Sequence, residues 1–63
     1  MNQHGIVIEH WPWKRKAEVR LWLVMNFGAH GHRWGEEYDY GLENLWMNED
    51  VYTVYLLRWG NAG

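Results

Sequence analysis

The 63-residue chain has no cysteine, no serine, one threonine and one proline. Each shortage excludes something. Without cysteine there is no disulfide to staple a small fold, and the usual soft zinc ligand is missing. The lack of disulfides fits a reducing compartment. Without serine or cysteine, and with Thr53 the lone threonine, the side chains most used in covalent catalysis are absent. No apolar run reaches the roughly 18 residues of a membrane span. The opening MNQHGIVIEH lacks a basic region followed by a long apolar stretch, so no secretory signal is expected. GAHGHRWG at 28–35 has neither the glycine spacing nor the lysine of a phosphate-binding loop. These exclusions lead to one expectation: a single domain over 1–63, cytoplasmic, without membrane contact, not an enzyme and without cofactor.

What is present is aromatic. The chain has six Trp, four Tyr and one Phe. Trp and Tyr bury large areas while keeping a polar handle, so few of them can build a core. Trp is seldom fully buried, and Trp, Tyr and Arg are enriched at interface hot spots. Six Trp in so short a chain therefore imply that some serve a surface. Net charge is only −2, but the charges are segregated. Lys14, Arg15, Lys16 and Arg20 fall within one short stretch, and Glu36, Glu37, Asp39, Glu43, Glu49 and Asp50 crowd 36–50. A modestly acidic chain is a poor general nucleic-acid binder, because phosphate neutralisation dominates that affinity.

Hydrophobic periodicity gives the expected elements. GIVIEHW at 5–11 reads as a short strand, and WPWKRK as an extended connector shaped by Pro12. In 17–27 every odd residue is apolar, from Ala17 through Leu21 to Phe27, which predicts a strand over 16–27 with the odd row as its core face. A helix from Pro12 onward competes, but Trp11 is a poor N-cap. Residues 28–35 read as a loop. Tyr38, Leu42, Leu45 and Trp46 share one helical face, which predicts a helix within 36–50; a strand over 33–40 is the alternative. VYTVYLLRW at 51–59 reads as a central strand, apolar on both faces. The expected fold is α+β: a small antiparallel sheet of three or four strands with one short helix on one face, in the order β-β-α-β. A mainly β domain is the alternative.

One helix covers one face of such a sheet. Trp22 and Val24, with Tyr52, Val54 and Leu56, are therefore expected on the uncovered face, where a patch of that kind marks an interaction surface. Glu36, Glu37, Asp39 and Glu43 are expected to form an acidic strip that steers a basic partner. Trp11, Trp13, Lys14, Arg15 and Lys16 mix rings with cations, the combination that grips single-stranded nucleic acid or another anion. His30 and His32 form an H-x-H pair, but nothing in the spacing supplies the further ligands zinc needs. The size, aromatic richness and missing nucleophiles are similar in style to small phage or mobile-element proteins that inhibit a host enzyme by binding it. The leading expectation is a non-enzymatic protein-binding module, an inhibitor or accessory subunit, whose partner is another protein with a basic surface. Single-stranded nucleic-acid binding through 11–16 and a structural homodimer are the alternatives.

Overall fold

The computed structural model describes residues 3–60, and the chain's first decisive residue is Pro12. Its ring fixes φ near the helical value and its missing N–H costs nothing at a helix start. The carbonyl of Pro12 accepts from the amide of Lys16 at 3.1 Å, and a helix, α1, runs over Trp13–Phe27. This corrects both the extended connector expected over 11–16 and the strand expected over 16–27. The buried residues of α1 are Val19 and Leu23, with Trp22 and Phe27 half-buried against the same core. The spacing 19, 22, 23, 27 is helical. A row of odd residues hides it, because i, i+4 and i+8 belong to both periods. Leu21 and Met25, on that row, are 62% and 76% exposed, so the odd row is not a core face.

Before α1 lies β1, Gln3–Val7; the strand expected over 5–11 is extended at the β-branched Ile6 and Val7 but starts earlier and ends before the turn at 9–10. After α1, residues 34–48 form a hairpin rather than a helix: β2 is Trp34–Asp39 and β3 is Leu42–Asn48. Tyr40 and Gly41 make the turn, both with positive φ, at 54° and 77°. That is the backbone of a two-residue hairpin loop whose twist matches its strands. The strand weighed as an alternative over 33–40 is thus present, but it pairs with the residues that follow it.

The last element, α2 over Glu49–Trp59, replaces the strand expected at 51–59. Glu49 and Asp50 sit in its first turn and Arg58 in its last, so both ends suit the helix macrodipole. Val51 and Tyr55 are buried, while Tyr52 and Trp59 flank them half-buried, again a helical stripe.

The class is α+β, in the order β-α-β-β-α rather than β-β-α-β. The sheet is antiparallel with order β1-β3-β2. One core joins Ile8, Val19, Leu23, Trp34, Leu45, Met47, Val51 and Tyr55. It takes residues from both helices and from one face of the sheet only, so both helices cover the same face. No helix among the described residues is long and apolar enough to cross a membrane.

Candidate functional site

Alternation along the strands sorts their residues into two faces. The inner face, under the helices, holds Ile6, Trp34, Glu36, Glu43, Leu45 and Met47. The outer face holds Val7, Glu37, Asp39, Leu42, Asn44 and Trp46. The β3 residue Trp46 pairs in register with Gly5 on one side and Gly35 on the other. Its indole lies over Gly35, where an added Cβ would stand 2.5 Å from Nε1. Only glycine leaves room for that ring. At Gly5 an added Cβ would meet nothing within 4 Å. The outer face is therefore a shallow shelf, with Trp46 seated toward β2 and open space above β1. Val7 and Leu42 are exposed on it.

The acids divide between the two faces. Glu36 and Glu43, expected in one strip with Glu37 and Asp39, face inward instead. Arg20 grips Glu36 through two bonds, Nε to Oε1 at 2.9 Å and Nη2 to Oε2 at 2.7 Å, the fork geometry in which guanidinium and carboxylate match best. Lys16 donates to Oε1 of Glu43 at 2.7 Å, and Arg20 lies 3.9 Å from the other Glu43 oxygen. The Lys16 ammonium beside it holds the Glu43 carboxyl below its ordinary range, and Glu43 in turn raises Lys16. Arg20 is raised by its bond to Glu36. These four side chains tie α1 to the hairpin. Glu37 and Asp39 stay exposed on the outer face, with no ion pair among the described residues. None of the described outer-face residues is a cation.

Trp22 and Val24, expected on an uncovered sheet face, lie on α1, because 17–27 is a helix. Trp22 meets Phe27 edge-on at 5.5 Å and Trp59 at 6.2 Å, which places it in the seam between the helices. Val24 is 43% exposed beside Leu21 and Met25. Tyr52, Val54 and Leu56 lie on α2.

The basic segment is dispersed as well. Lys16 is committed to Glu43. Trp13 is 79% exposed, and Lys14 is exposed without an ion pair among the described residues. Arg15 turns the other way and stacks on Trp11, 4.5 Å from the ring centre. His30 lends its Nε2 to the amide of Glu36 at 2.9 Å and meets Trp34 edge-on. It thereby covers part of the free edge of β2. His32 is exposed, and no three His, Asp or Glu side chains converge among the described residues.

Sequence reasoning missed Trp46 as a surface residue, since a helix over 36–50 puts it on the core side. The Tyr40-Gly41 turn is the signal that, read as a hairpin, would have placed 42, 44 and 46 on one face. Comparison with family models, curated proteins and solved structures gives no match from which a family could be assigned.

Proposed function

We propose that the chain is a non-enzymatic protein-binding module, an inhibitor or accessory subunit, which takes a partner with a basic surface on the outer face of its sheet. The observation that carries this reading is Trp46 of the central strand, held over Gly35 on the same face as Glu37 and Asp39, which have no ion pair among the described residues. A half-buried Trp at the centre of a patch, with a polar rim, is the usual anatomy of a hot spot. Its ring is already fixed by its glycine seat, so little side-chain entropy is left to lose on binding. Two carboxylates without cations give the face one sign of charge, which favours a cationic partner and speeds encounter.

The same charge weighs against the homodimer alternative on this face. A twofold interface is self-complementary, and two copies meeting here would bring Glu37 and Asp39 toward their own images with no cation between them. The nucleic-acid alternative fits poorly for a related reason. Of the five residues in its segment, only Trp13 and Lys14 stand outward without a partner.

The test compares columns carrying the chain and its Glu37→Lys/Asp39→Lys variant, loaded with extract from the source cell. A basic protein retained by the first, lost from the second and released by salt is the expected result. Against that purified partner, Trp46→Ala should cost 2 kcal/mol or more, about thirtyfold in affinity. Equal retention of every bound protein by the two columns would overturn the reading.

A further inference from the structure

One hollow among the described residues lies away from the sheet's outer face. It opens between Ile6, the start of α1 and the length of α2, with a volume of about 480 Å³. That is within the range of small-molecule sites, roughly 300–1,000 Å³. Trp11, Tyr52, Tyr55 and Trp59 line it with four rings, and Arg15 is its only charged lining residue. The Arg15 guanidinium lies 4.5 Å from the ring centre of Trp11 and 5.9 Å from that of Trp59. No carboxylate among the described residues pairs with it. A guanidinium stacked on rings offers its N–H donors in its own plane, a planar fork suited to carboxylate or phosphate.

Two further observations point to an anion here. The first concerns charge. The first turns of α1 carry Lys14, Arg15 and Lys16 and no acid in the opening turn, against the preference of the macrodipole. Of these three, only Lys16 has a carboxylate partner among the described residues. The other helix, α2, obeys the rule at both ends. A local rule broken at one helix and kept at the other is expected at a functional position. The second concerns polar atoms. Two buried side-chain nitrogens lack a partner among the described residues, Nε1 of Trp59 and Nε2 of His4. Trp59 lines the hollow, and His4 stacks at 4.1 Å on Tyr52, which also lines it. Buried polar atoms are rarely left unsatisfied; of these two, the Trp59 nitrogen belongs to a lining residue, and His4 stands behind Tyr52.

We infer that this hollow is a binding site for a small planar ring carrying an anionic group, a carboxylate or a phosphate. The ring stacks against the aromatic wall, and the anion is held by Arg15 under the positive potential of the α1 start. This inference is independent of the sheet-face reading, because it uses none of the same residues.

Calorimetric titration with indole-3-acetate and with adenosine monophosphate tests it and separates the two sources of the anion. Adenosine supplies the ring alone and inorganic phosphate the anion alone. At least one ring-bearing anion should bind saturably, with adenosine and phosphate each about tenfold weaker or more. Arg15→Gln should weaken binding by a similar factor, the scale of one charge-assisted hydrogen bond. Should Arg15→Gln fail to fold, Arg15→Lys keeps the charge without the fork and reads a loss in the same direction. Trp46→Ala should leave this binding unchanged. No saturable binding of either ring-bearing anion at millimolar concentration would overturn the inference. So would affinity indifferent to both Arg15 variants, or binding seen only with oligothymidylate, which would mark a nucleic-acid surface instead.

Discussion

Glu36 and Glu37 are neighbours in the chain and have opposite fates. Glu36 points under the helices, where Arg20 holds both of its oxygens. Glu37 points out, beside Trp46, and holds nothing among the described residues. The same division separates Glu43 from Asp39. A strand turns each successive side chain to the other face, so one acidic segment supplies both an internal clamp and an external charge. On the inner face, Glu36 and Glu43 meet α1 cations, and the apolar residues meet Val19, Leu23, Val51 and Tyr55. The outer face has an aromatic ring, exposed Val7 and Leu42, and charge of one sign. Alternation along one strand thus decides which acids are neutralised inside the fold and which stay at its surface.

The sharpest way to break this comparison lies in α1, which presents Leu23 to the core and Leu21 to solvent. Leu23 is fully buried and Leu21 is 62% exposed. Leu23→Ala should cost about 2–5 kcal/mol, enough to unfold much of so small a domain. Leu21→Ala should stay within about 0.5 kcal/mol. Thermal melts of the pair decide it. Equal losses would return 17–27 to a strand with a single core row.

On the outer face the contrast is between two glycines. Gly35→Ala drives a Cβ into the Trp46 indole and should cost about 1–3 kcal/mol through forced repacking. The indole N–H resonance of Trp46 should move with it. Gly5→Ala has open space and should change stability by no more than about 0.5 kcal/mol. If the two variants melt alike, Trp46 does not rest on Gly35.

The acids themselves differ in how they respond to pH. Glu43 has its folded pKa lowered by Lys16, and Asp50 by Arg33. In each case the unfolded chain takes up the proton first as pH falls. The stability these pairs contribute is therefore present above the ordinary carboxylate range, near 4, and lost as pH drops through the lower folded values. Glu43→Gln should lower the melting temperature by a few degrees at neutral pH and flatten the acid limb of a melting profile. Glu37→Gln, which removes no ion pair among the described residues, should leave the melting temperature at neutral pH nearly unchanged. An acid limb unchanged by Glu43→Gln would show that the Lys16 pair adds nothing to the fold.

How much of this was legible in the sequence follows from where local rules and packing agree. The class was legible, and so was the existence of a first strand, because Ile6 and Val7 favour extended backbone; its bounds were not, since it runs over 3–7 and not 5–11. The order was not. Alternation in 17–27 is satisfied equally by a helix that buries 19 and 23, and only the choice of neighbours decides between them. At 51–59 both faces looked apolar because α2 lies across the core edge, with Tyr52 and Trp59 half-buried beside Val51 and Tyr55. Its acidic first turn and Arg58 in its last were helix signals in plain view. The acidic strip was legible as composition only. Which acids would be neutralised depends on which face each one takes, and that depends on where the hairpin turns.

That turn carries the last and smallest prediction. Hairpins of this type want Asn-Gly or Asp-Gly at their two central positions, since both must adopt positive φ. Here Tyr40 takes the first position at φ 54°, almost fully exposed at 97%. A side chain larger than Asn gains nothing there from packing, while the left-handed conformation costs a non-glycine residue roughly 1–2 kcal/mol. Asn tolerates it better, because its short amide bonds locally. Tyr40→Asn should therefore raise stability by about 0.5–1 kcal/mol and leave both faces of the sheet untouched. Denaturant melts would show a higher midpoint with an unchanged slope. A lower midpoint would mean that the Tyr40 ring makes a contact worth more than its backbone strain. A changed slope would mean that the register of β2 against β3 had moved. Then Glu36 and Glu37 would have exchanged faces, since a one-residue slip inverts every side chain on a strand.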